Sequence, residues 1–338
     1  MNTVTSVPVP MPLCVMLPEI GVVSETFLRW DVRDLAPGRV SVIADPPPHG
    51  LSITHPPTWD TGDAPTLAFS PVPGDPLPDC ARQRAVAEFL HQHRVERVVL
   101  EYFDFADRWF DLITGLGIPV WVRGHGIDIS ARLREPGWAD KYRRFLRAEG
   151  LIVPSRAAAD RLTGLGLPSS HIHVVRYCVT VPDTPPPPRP PDQTVRCVAV
   201  GRLVEKKAPL VVLEAFRRAH HHNRALTLDV VGDGPLAGQA RSFVTRHDLT
   251  GVVRFHGALP HTDAVAVTTG ADIVIHHSRT AAGGDAEGQP LSILEAMAAA
   301  KPVISTIHEG IPEVITDRVN GRLTAPGDIG ATAQVLID

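Results

Sequence analysis

Short apolar segments alternate with amphipathic segments throughout the second half of the chain, and this alternation restricts the fold more than any other feature. The apolar segments contain no regular polar alternation, as in RCVAV (196–200). Strands of this kind are buried on both faces, and their alternation with helices is typical of a doubly wound parallel sheet. The predicted elements are strand 196–200, helix 207–222, strand 226–231, helix 235–247, strand 252–255, helix 261–270, strand 272–277, helix 291–300 and strand 302–306.

The first half shows the same pattern, which predicts two α/β domains of similar size. Its proline-rich stretch 45–78 is expected to form surface loops. The halves share this architecture but no repeat of fixed period. The predicted elements are strand 13–17, helix 24–35, strand 39–43, helix 81–93, strand 97–100, helix 106–115, strand 119–123, helix 138–148, strand 151–154, helix 155–165 and strand 171–175.

A proline-rich segment separates the two halves. Residues 181–193 hold seven prolines within ten residues, which excludes a helix and a central strand. We predict an N-terminal domain 1–180, a stiff linker 181–194 and a C-terminal domain 195–338. In open parallel sheets ligands bind beyond the carboxyl ends of the strands, so two Rossmann-like domains are expected to face each other across a cleft lined by strand-to-helix loops.

The composition excludes a membrane-spanning protein and a general nucleic-acid binder. Apolar residues make up 43% of the chain, charged residues 21%, and the formal net charge is -4. No segment approaches the ~18 consecutive apolar residues of a spanning helix. A signal peptide is not expected, because the N-terminal segment lacks a basic leader and is interrupted by Pro8, Pro10 and Pro12.

The cysteine pattern indicates a reducing compartment. The four cysteines are scattered without a CxxC pair, and we expect them to be buried free thiols. They are Cys14, Cys80, Cys178 and Cys197. We therefore expect a cytoplasmic protein, and the composition is compatible with peripheral contact at the inner face of a membrane.

The loop after strand 196–200 carries two cations near the start of a helix. Its sequence is GRLVEKKAP (201–209), and the cations are Arg202 and Lys207. Cations beside a helix N-terminus form a phosphate or diphosphate site that needs no metal. The alternative interpretation is a solvated basic loop.

The segment 287–306 carries two carboxylates eight residues apart, Glu287 in a loop and Glu295 in the first turns of a helix. Gly288 and Pro290 would let the backbone approach a ligand at the helix start. Two carboxylates there could accept hydrogen bonds from hydroxyl groups on two parts of one ligand. The alternative is a helix whose acidic first turn stabilises its dipole.

Two histidine-containing segments have weaker interpretations. His125 and Asp128 follow strand 119–123 at the expected cleft, where a ligand contact and a buried, capping arrangement are both open. His276 and His277 end a strand with opposed side chains, so we predict no chelate. The run His220-His221-His222, at the end of a helix, is likewise not expected to bind metal, because adjacent helix residues do not face one ligand.

No dinucleotide or metal site is predicted. The glycines of GDGPLAG (232–238) do not match the dinucleotide pattern, and the following strand ends without an acidic residue, so a tight turn is favoured. No two aspartates lie two residues apart. The nearest match is Asp285-Ala286-Glu287, and zinc-type His and Cys spacings are absent.

Taken together, these segments resemble the retaining sugar-nucleotide enzymes of glycosyltransferase family 4, which have the GT-B fold. HGIDIS, SETFL and LIVPSRAAADRL (125–130, 24–28 and 151–162) resemble the branch that makes exopolysaccharides and related glycans, whereas 45–110 resembles no family. The second-domain matches occur in the family's order: GRLVEKK (201–207), VVGDGPL (230–236), VRFHGAL (253–259), ADIVIHHS (271–278), EGQPLSILEAMAAAKPVIST (287–306), EGIPEVI (309–315) and NGRL (320–323).

The resemblance implies a role for each matching residue. Arg202 and Lys207 would hold the donor diphosphate, Glu295 the nucleotide ribose and Glu287 the transferred sugar. Gly21 would approach the β-phosphate, and His125 would contact donor sugar hydroxyls or the acceptor. Backbone amides of the 288–291 segment would contact sugar and phosphate; its residues are Gly288, Gln289, Pro290 and Leu291.

Two features depart from the family pattern. Ala208 stands where a glycine usually follows the loop lysine, which is a small change. Relatives continue past the position of Asp338 through a helix that returns to the first domain, so the resemblance implies that this chain ends before that helix.

The resemblance implies a retaining, metal-independent hexosyltransferase with no cofactor. It would move a hexose-type sugar from a UDP- or GDP-sugar to a hydroxyl of a glycan, a lipid-linked sugar or a small molecule, with the acceptor held by the first domain. Two alternatives stay open: a catalytically silent GT-B subunit that binds a sugar nucleotide or partner enzyme, and a sugar-nucleotide epimerase.

Overall fold

The computed structural model forms two units, each built around a mainly parallel sheet. The structure describes residues 12–21, 26–45, 60–69, 79–187 and 194–338. The first unit contains the chain up to Gly124, with Gly137–Ile152 and Gly166–His173. The second unit contains His125–Pro136, Val153–Leu165 and the chain from Val174 onward. Outside the described residues lie Pro8 and Pro10, the start of the predicted helix 24–35, most of 45–78, and linker residues 188–193.

The first unit holds a seven-stranded sheet in the order β3-β2-β1-β4-β5-β6-β7. Neighbours from β3 through β6 pair in parallel. In the central strand β1, the side chains from Cys14 to Leu17 are all fully buried, which explains the absence of polar alternation. The strands are β1 (Leu13–Leu17), β2 (Val40–Ala44), β3 (Thr66–Ala68), β4 (Arg97–Glu101), β5 (Val120–Arg123), β6 (Gly150–Val153) and β7 (Ile172–Val174).

Helices pack on this sheet through a cluster of aromatic side chains. Phe103 makes edge-on contacts with Tyr142 and Phe145, and all three rings are fully buried. The predicted helix 138–148 is α-helical only as far as Arg143 and continues as a 3-10 helix. The helices of the first half are α1 (Thr26–Asp34), α2 (Asp79–Gln92), α3 (Phe103–Gly115), α4 (Trp138–Arg143) and α5 (Arg156–Gly164), of which α5 belongs to the second unit.

The second unit holds a six-stranded, fully parallel sheet in the order β10-β9-β8-β11-β12-β13. Apolar clusters cover both of its faces, one around Phe216 and the other around Ile293. The strands are β8 (Val195–Val200), β9 (Leu226–Val231), β10 (Val253–Gly257), β11 (Ile273–Ile275), β12 (Val303–Thr306) and β13 (Arg322–Thr324). The helices are α6 (Pro209–His222), α7 (Ala237–Arg246), α8 (His261–Gly270), α9 (Leu291–Ala298) and α10 (Ile329–Ile337).

The prediction of two α/β domains with doubly wound parallel sheets is confirmed. The loop prediction for 45–78 is wrong at β3, and the sequence predicted neither β13 nor α10. The cysteines are free, but the prediction that all are buried is wrong, because Cys80 and Cys178 are exposed. Among the described residues, no helix is long and apolar enough to cross a membrane.

Candidate functional site

Three loops meet at the carboxyl edge of the second sheet. They follow β8, β11 and β12, which are adjacent in the sheet. In parallel sheets the loops beyond adjacent strands lie side by side, which makes this edge a binding position. Segments 125–136 and 153–165 pack on the same unit.

The loop after β8 turns sharply before α6 begins. A 3-10 helix, Glu205–Lys207, precedes Ala208, whose φ of +44° lies in the left-handed region. That conformation favours glycine, the residue that the family resemblance leads us to expect here. Pro209 then occupies the first turn of α6, where its missing N–H has no consequence.

Lys207 and Glu287 form an ion pair at this edge. The Lys207 Nζ contacts Glu287 Oε2, and the two side chains are only 16% and 13% exposed. Burial lowers the pKa of Lys207, while Glu287 opposes the shift. Burial alone would raise the pKa of Glu287, but the charges of Lys207 and Lys206 hold it below its usual range. Each member of the pair thus favours the charged form of the other.

Arg202 supplies a second cation close to Lys207. Its side chain is exposed and makes no hydrogen bond or ion pair with the part of the chain that the structure describes, and its charge acts on Lys207. A pocket open to solvent is lined in part by Gly201, Arg202, Lys207 and His276. The structure thus brings the predicted diphosphate ligands to one pocket.

The loop that carries Glu287 is held by close backbone packing. A Cβ added to Gly288 would lie 2.1 Å from the carbonyl oxygen of His125 and 2.9 Å from Pro154 Cγ. Gln289 is 4% exposed, and its Oε1 accepts a hydrogen bond of 2.7 Å from the Tyr177 amide. A side chain at position 288 would therefore clash, and the predicted approach of this backbone to a ligand stays a prediction.

Pro290 and Leu291 form the start of α9. Pro290 is the N-terminal cap residue, and Leu291 is the first helical residue. The first turn of α9, described throughout, contains no acidic residue. Glu295 lies one turn further on, where its Oε1 is 2.8 Å from His261 Nε2. The acidic-first-turn interpretation therefore does not explain Glu295.

His125 and Asp128 have separate roles in their segment. The Asp128 carboxylate is fully buried and accepts hydrogen bonds from the amides of His125 and Gly126, at 3.0 and 2.9 Å. The His125 ring is buried and contacts the Tyr177 hydroxyl through Nδ1. Asp128 thus caps its own loop, as the structural alternative predicted, and the ligand role of His125 stays a prediction.

Two residues at this edge were not predicted from the sequence. Lys206 is 6% exposed, and its Nζ donates to Asp285 Oδ1 at 3.0 Å and contacts the Ala286 carbonyl oxygen at 3.5 Å. His276 lies 3.3 Å from Lys207 Nζ through Nε2. Neither has a sequence signal beyond standing next to a predicted residue or at a strand end.

The remaining predictions concern the GDGPLAG turn, the adjacent histidines after β11 and Gly21. A Cβ on Gly232 would lie 2.0 Å from the Gly201 carbonyl oxygen, so GDGPLAG forms a tight turn against the β8 loop. His276 and His277 contact different partners, since His277 Nε2 accepts from the Gly327 amide at 2.8 Å. Gly21, in the first unit, is buried with φ +85°, and its phosphate contact stays a prediction.

Two family models match the chain in consecutive parts. The model described as Glycosyltransferase Family 4 matches residues 36–181. The model described as Glycosyl transferases group 1 matches residues 183–338. Together they leave little of the chain unmatched apart from its N-terminal segment.

Curated relatives include two bacterial glycosyltransferases. WcaL of Escherichia coli, provisionally named a colanic acid biosynthesis glycosyltransferase, is 35% identical over 214 residues, which is 63% of this chain and 53% of WcaL. The amylovoran biosynthesis glycosyltransferase AmsK of Erwinia amylovora is 35% identical over 215 residues, with the same coverage of 63% and 53%. The chain therefore spans about half the length of these relatives.

A solved structure shares the fold over nearly the whole chain. HepE of Anabaena, determined in complex with UDP and glucose, superposes with a TM-score of 0.74 at 18% identity, covering 97% of this chain and 89% of HepE. At this identity the likeness concerns the fold alone.

Proposed function

The chain belongs to glycosyltransferase family 4, with the GT-B fold, and from this premise we propose that it is a retaining hexosyltransferase. The donor is a nucleoside diphosphate sugar, UDP- or GDP-linked, and the acceptor is a hydroxyl group. No metal ion takes part. The names of WcaL and AmsK support an acceptor in exopolysaccharide biosynthesis, either a glycan or a lipid-linked sugar.

The observation that carries this proposal is the buried Lys207–Glu287 ion pair beside the exposed Arg202. Departure of a nucleoside diphosphate leaves negative charge on its terminal phosphate. A preorganised cation at that position stabilises the transition state more than the ground state, and burial strengthens the effect. Lys207 and Arg202 supply this charge, and the nearby start of α9 adds the positive end of its dipole.

The transfer step needs no enzymic nucleophile. The bond between sugar C1 and the diphosphate oxygen breaks, and the acceptor oxygen forms a bond to C1 on the same face. The acceptor proton passes to the departing phosphate oxygen. The enzyme then contributes charge stabilisation and positioning.

The two carboxylates divide the donor between them in this proposal. Glu287, which neighbours the leaving-group cation, accepts hydrogen bonds from sugar hydroxyls. Glu295, one turn into α9 and paired with His261, accepts from the ribose. The backbone N–H groups of Gly288, Gln289 and Leu291 contact sugar and phosphate. His125 contacts the sugar or acceptor.

The proposal places the enzyme in the cytoplasm. All four cysteines are free, which suits a reducing compartment. A lipid-linked acceptor would add peripheral contact with the inner face of the membrane.

A screen of UDP- and GDP-sugars tests the function directly. A donor at about 100 times its Kd should stabilise the folded protein by about 2.7 kcal/mol, and incubation with it should yield transfer or slow hydrolysis. Absence of stabilisation by any sugar nucleotide contradicts the proposal. Donor binding without turnover on any acceptor would instead indicate the silent subunit, and an epimerised sugar would indicate the epimerase.

A further inference from the structure

His276 is a buried imidazole that no role assigned so far explains. It follows β11 directly and is 3% exposed. Its Nε2 lies 3.3 Å from Lys207 Nζ and 3.0 Å from Ser278 Oγ. Its Nδ1 lies 3.0 Å from the hydroxyl of Ser292, the second residue of α9. The ring therefore connects the start of α9 to the Lys207 ammonium.

The chemistry of these partners fixes the tautomer. An ammonium group only donates hydrogen bonds, so Nε2 accepts from Lys207 and carries no proton, and the Ser278 hydroxyl then donates to Nε2 as well. The ring proton then resides on Nδ1 and is donated to the Ser292 hydroxyl oxygen. Burial, followed by the charge of Lys207, holds the pKa of His276 well below its usual value of 6.5, so the ring is neutral near neutral pH.

The ammonium group of Lys207 has three N–H groups, and two of them point to acceptors among the described residues. One is taken by Glu287 and one by His276, and no other side chain in the described part of the chain is bonded to this ammonium. Two acceptors on fixed elements orient the third N–H, and an oriented donor costs less reorganisation at the moment of reaction.

We propose that His276 is a positioning residue that, through Nε2, aims the third N–H of Lys207 at the leaving phosphate. The inference rests on the proposed function, since it acts through the diphosphate role of Lys207. In this proposal His276 acts through Lys207. A side chain without an acceptor at this position leaves Lys207 held by Glu287 alone, so its direction is no longer fixed.

A double-mutant cycle with Lys207 tests this role. His276→Leu should lower kcat with a saturating donor about 10- to 100-fold, while the Kd for the free nucleoside stays near that of the wild type. His276→Gln, whose amide oxygen can accept from Lys207, should restore much of the loss. In a Lys207→Ala background, His276→Leu should cost almost nothing further, because its partner is absent.

His277 provides the matched control. It is equally buried but accepts from Gly327 rather than Lys207. The fold-reduction in kcat of the double variant His277→Leu, Lys207→Ala should therefore equal the product of the two single reductions. If the kcat reductions of His276→Leu and Lys207→Ala also multiply in the double variant, the ring has only a structural role and the proposal is wrong. The same conclusion follows if His276→Gln restores none of the lost kcat.

A spectroscopic measurement on the wild-type protein separates this inference from the proposed function. Nitrogen-15 NMR of the histidine rings should show His276 as a neutral ring with its proton on Nδ1. A proton on Nε2, or a protonated ring at about pH 7, overturns the inference even if the enzyme transfers sugar. If this tautomer is observed but no sugar nucleotide binds, the proposed function fails instead, and with it the positioning role.

Discussion

Glu287 and Glu295 face different basic groups, although they lie only eight residues apart. Glu287 pairs with a buried ammonium, and Glu295 pairs with the imidazole of His261. We predict that Glu295→Gln weakens binding of free nucleoside diphosphate and of intact donor about equally, by roughly 10-fold. Glu287→Gln should leave nucleoside diphosphate binding near normal and lower the transfer rate by about 100-fold.

The control for this pair is Glu214→Gln. Glu214 forms ion pairs with Arg217 and Arg218 on the surface of α6, so its loss should change neither measurement. Calorimetric titration and initial rates provide the readouts. Equal effects of both site substitutions on both ligands would contradict the division between sugar and ribose.

His277 makes the stability of the fold depend on pH. Burial, with the charges of Arg279 and His308, lowers the pKa of His277 from 6.5 to about 4. Between these two pKa values His277 is protonated in the unfolded chain but not in the folded one. The contribution of His277 to the free energy of unfolding is therefore complete above pH 6.5 and is lost as pH falls toward 4. From about pH 7 to about pH 4.5, the loss should be about 2 kcal/mol.

Urea denaturation of His277→Gln at these two pH values measures this contribution. The variant should lose about 2 kcal/mol less than the wild type on acidification, because the titrating group is gone. His221→Gln removes an exposed histidine of α6 and should leave the pH dependence unchanged. An unchanged pH dependence in His277→Gln would contradict the assigned burial effect.

The location of a site residue could be predicted from the sequence where the loop itself carries the signal, whereas the role of each residue stays a prediction. Arg202, Lys207 and Glu287 stand in strand-to-helix loops, and the structure places them at one sheet edge. His276 and Lys206 carry no such signal, because their importance depends on burial against residues far away in the sequence. Partners such as Ser292 and Asp285 become apparent only when the chain is folded.

At the scale of elements, the apolar pattern decided what the sequence could predict. The strands 13–17 and 226–231 and the helix 261–270 have the predicted limits, since each has a clear apolar pattern and clear ends. The strands β3 (TLA) and β13 (RLT) each contain one large apolar residue, so neither forms an apolar run. The predicted strand 272–277 ends early at Ile275, which leaves His276 in the loop where it meets Lys207.

Gly288 controls how the Glu287 loop packs on its neighbours. In Gly288→Ala the new Cβ would meet the His125 carbonyl oxygen at 2.1 Å, so the backbone must shift. We expect destabilisation by about 1–3 kcal/mol and a clear loss of transfer, because the loop carries Glu287. Thermal unfolding and initial rates measure the two effects.

Gly283→Ala is the matched control on the same loop. Gly283 is exposed, and a Cβ there would meet nothing within 4 Å. This variant should unfold and react like the wild type. If Gly288→Ala does the same, close packing of the loop is not what positions Glu287.

At the scale of the whole molecule, each of the two units is assembled from several separate segments of the chain. Segments 125–136 and 153–165 belong to the second unit although they precede the predicted linker 181–194. Contacts such as Arg161 with Glu309 hold them there. The sequence alone cannot show that these segments belong to the second unit, because that assignment depends on contacts between residues far apart in the chain. The domain limits taken from the sequence therefore stay a prediction.

The whole site is predicted to work without a divalent metal. Within the described residues, no group of three histidine, cysteine or acidic side chains is placed to hold one. We expect transfer with saturating donor to proceed at an unchanged rate in excess EDTA, since Arg202 and Lys207 supply the charge. Loss of activity that magnesium or manganese restores, but ionic strength does not, would instead indicate a metal, with Asp285 as a candidate ligand.

The most direct test of the central claim is kcat of Lys207→Ala with a saturating donor. Lys301→Ala, which removes a lysine beyond the opposite end of α9, is the control. If Lys207 stabilises the departing diphosphate, its loss should lower kcat about 30- to 1000-fold while binding of the sugarless nucleoside changes little, and Lys301→Ala should react like the wild type. A Lys207→Ala enzyme with near-normal kcat would contradict the account.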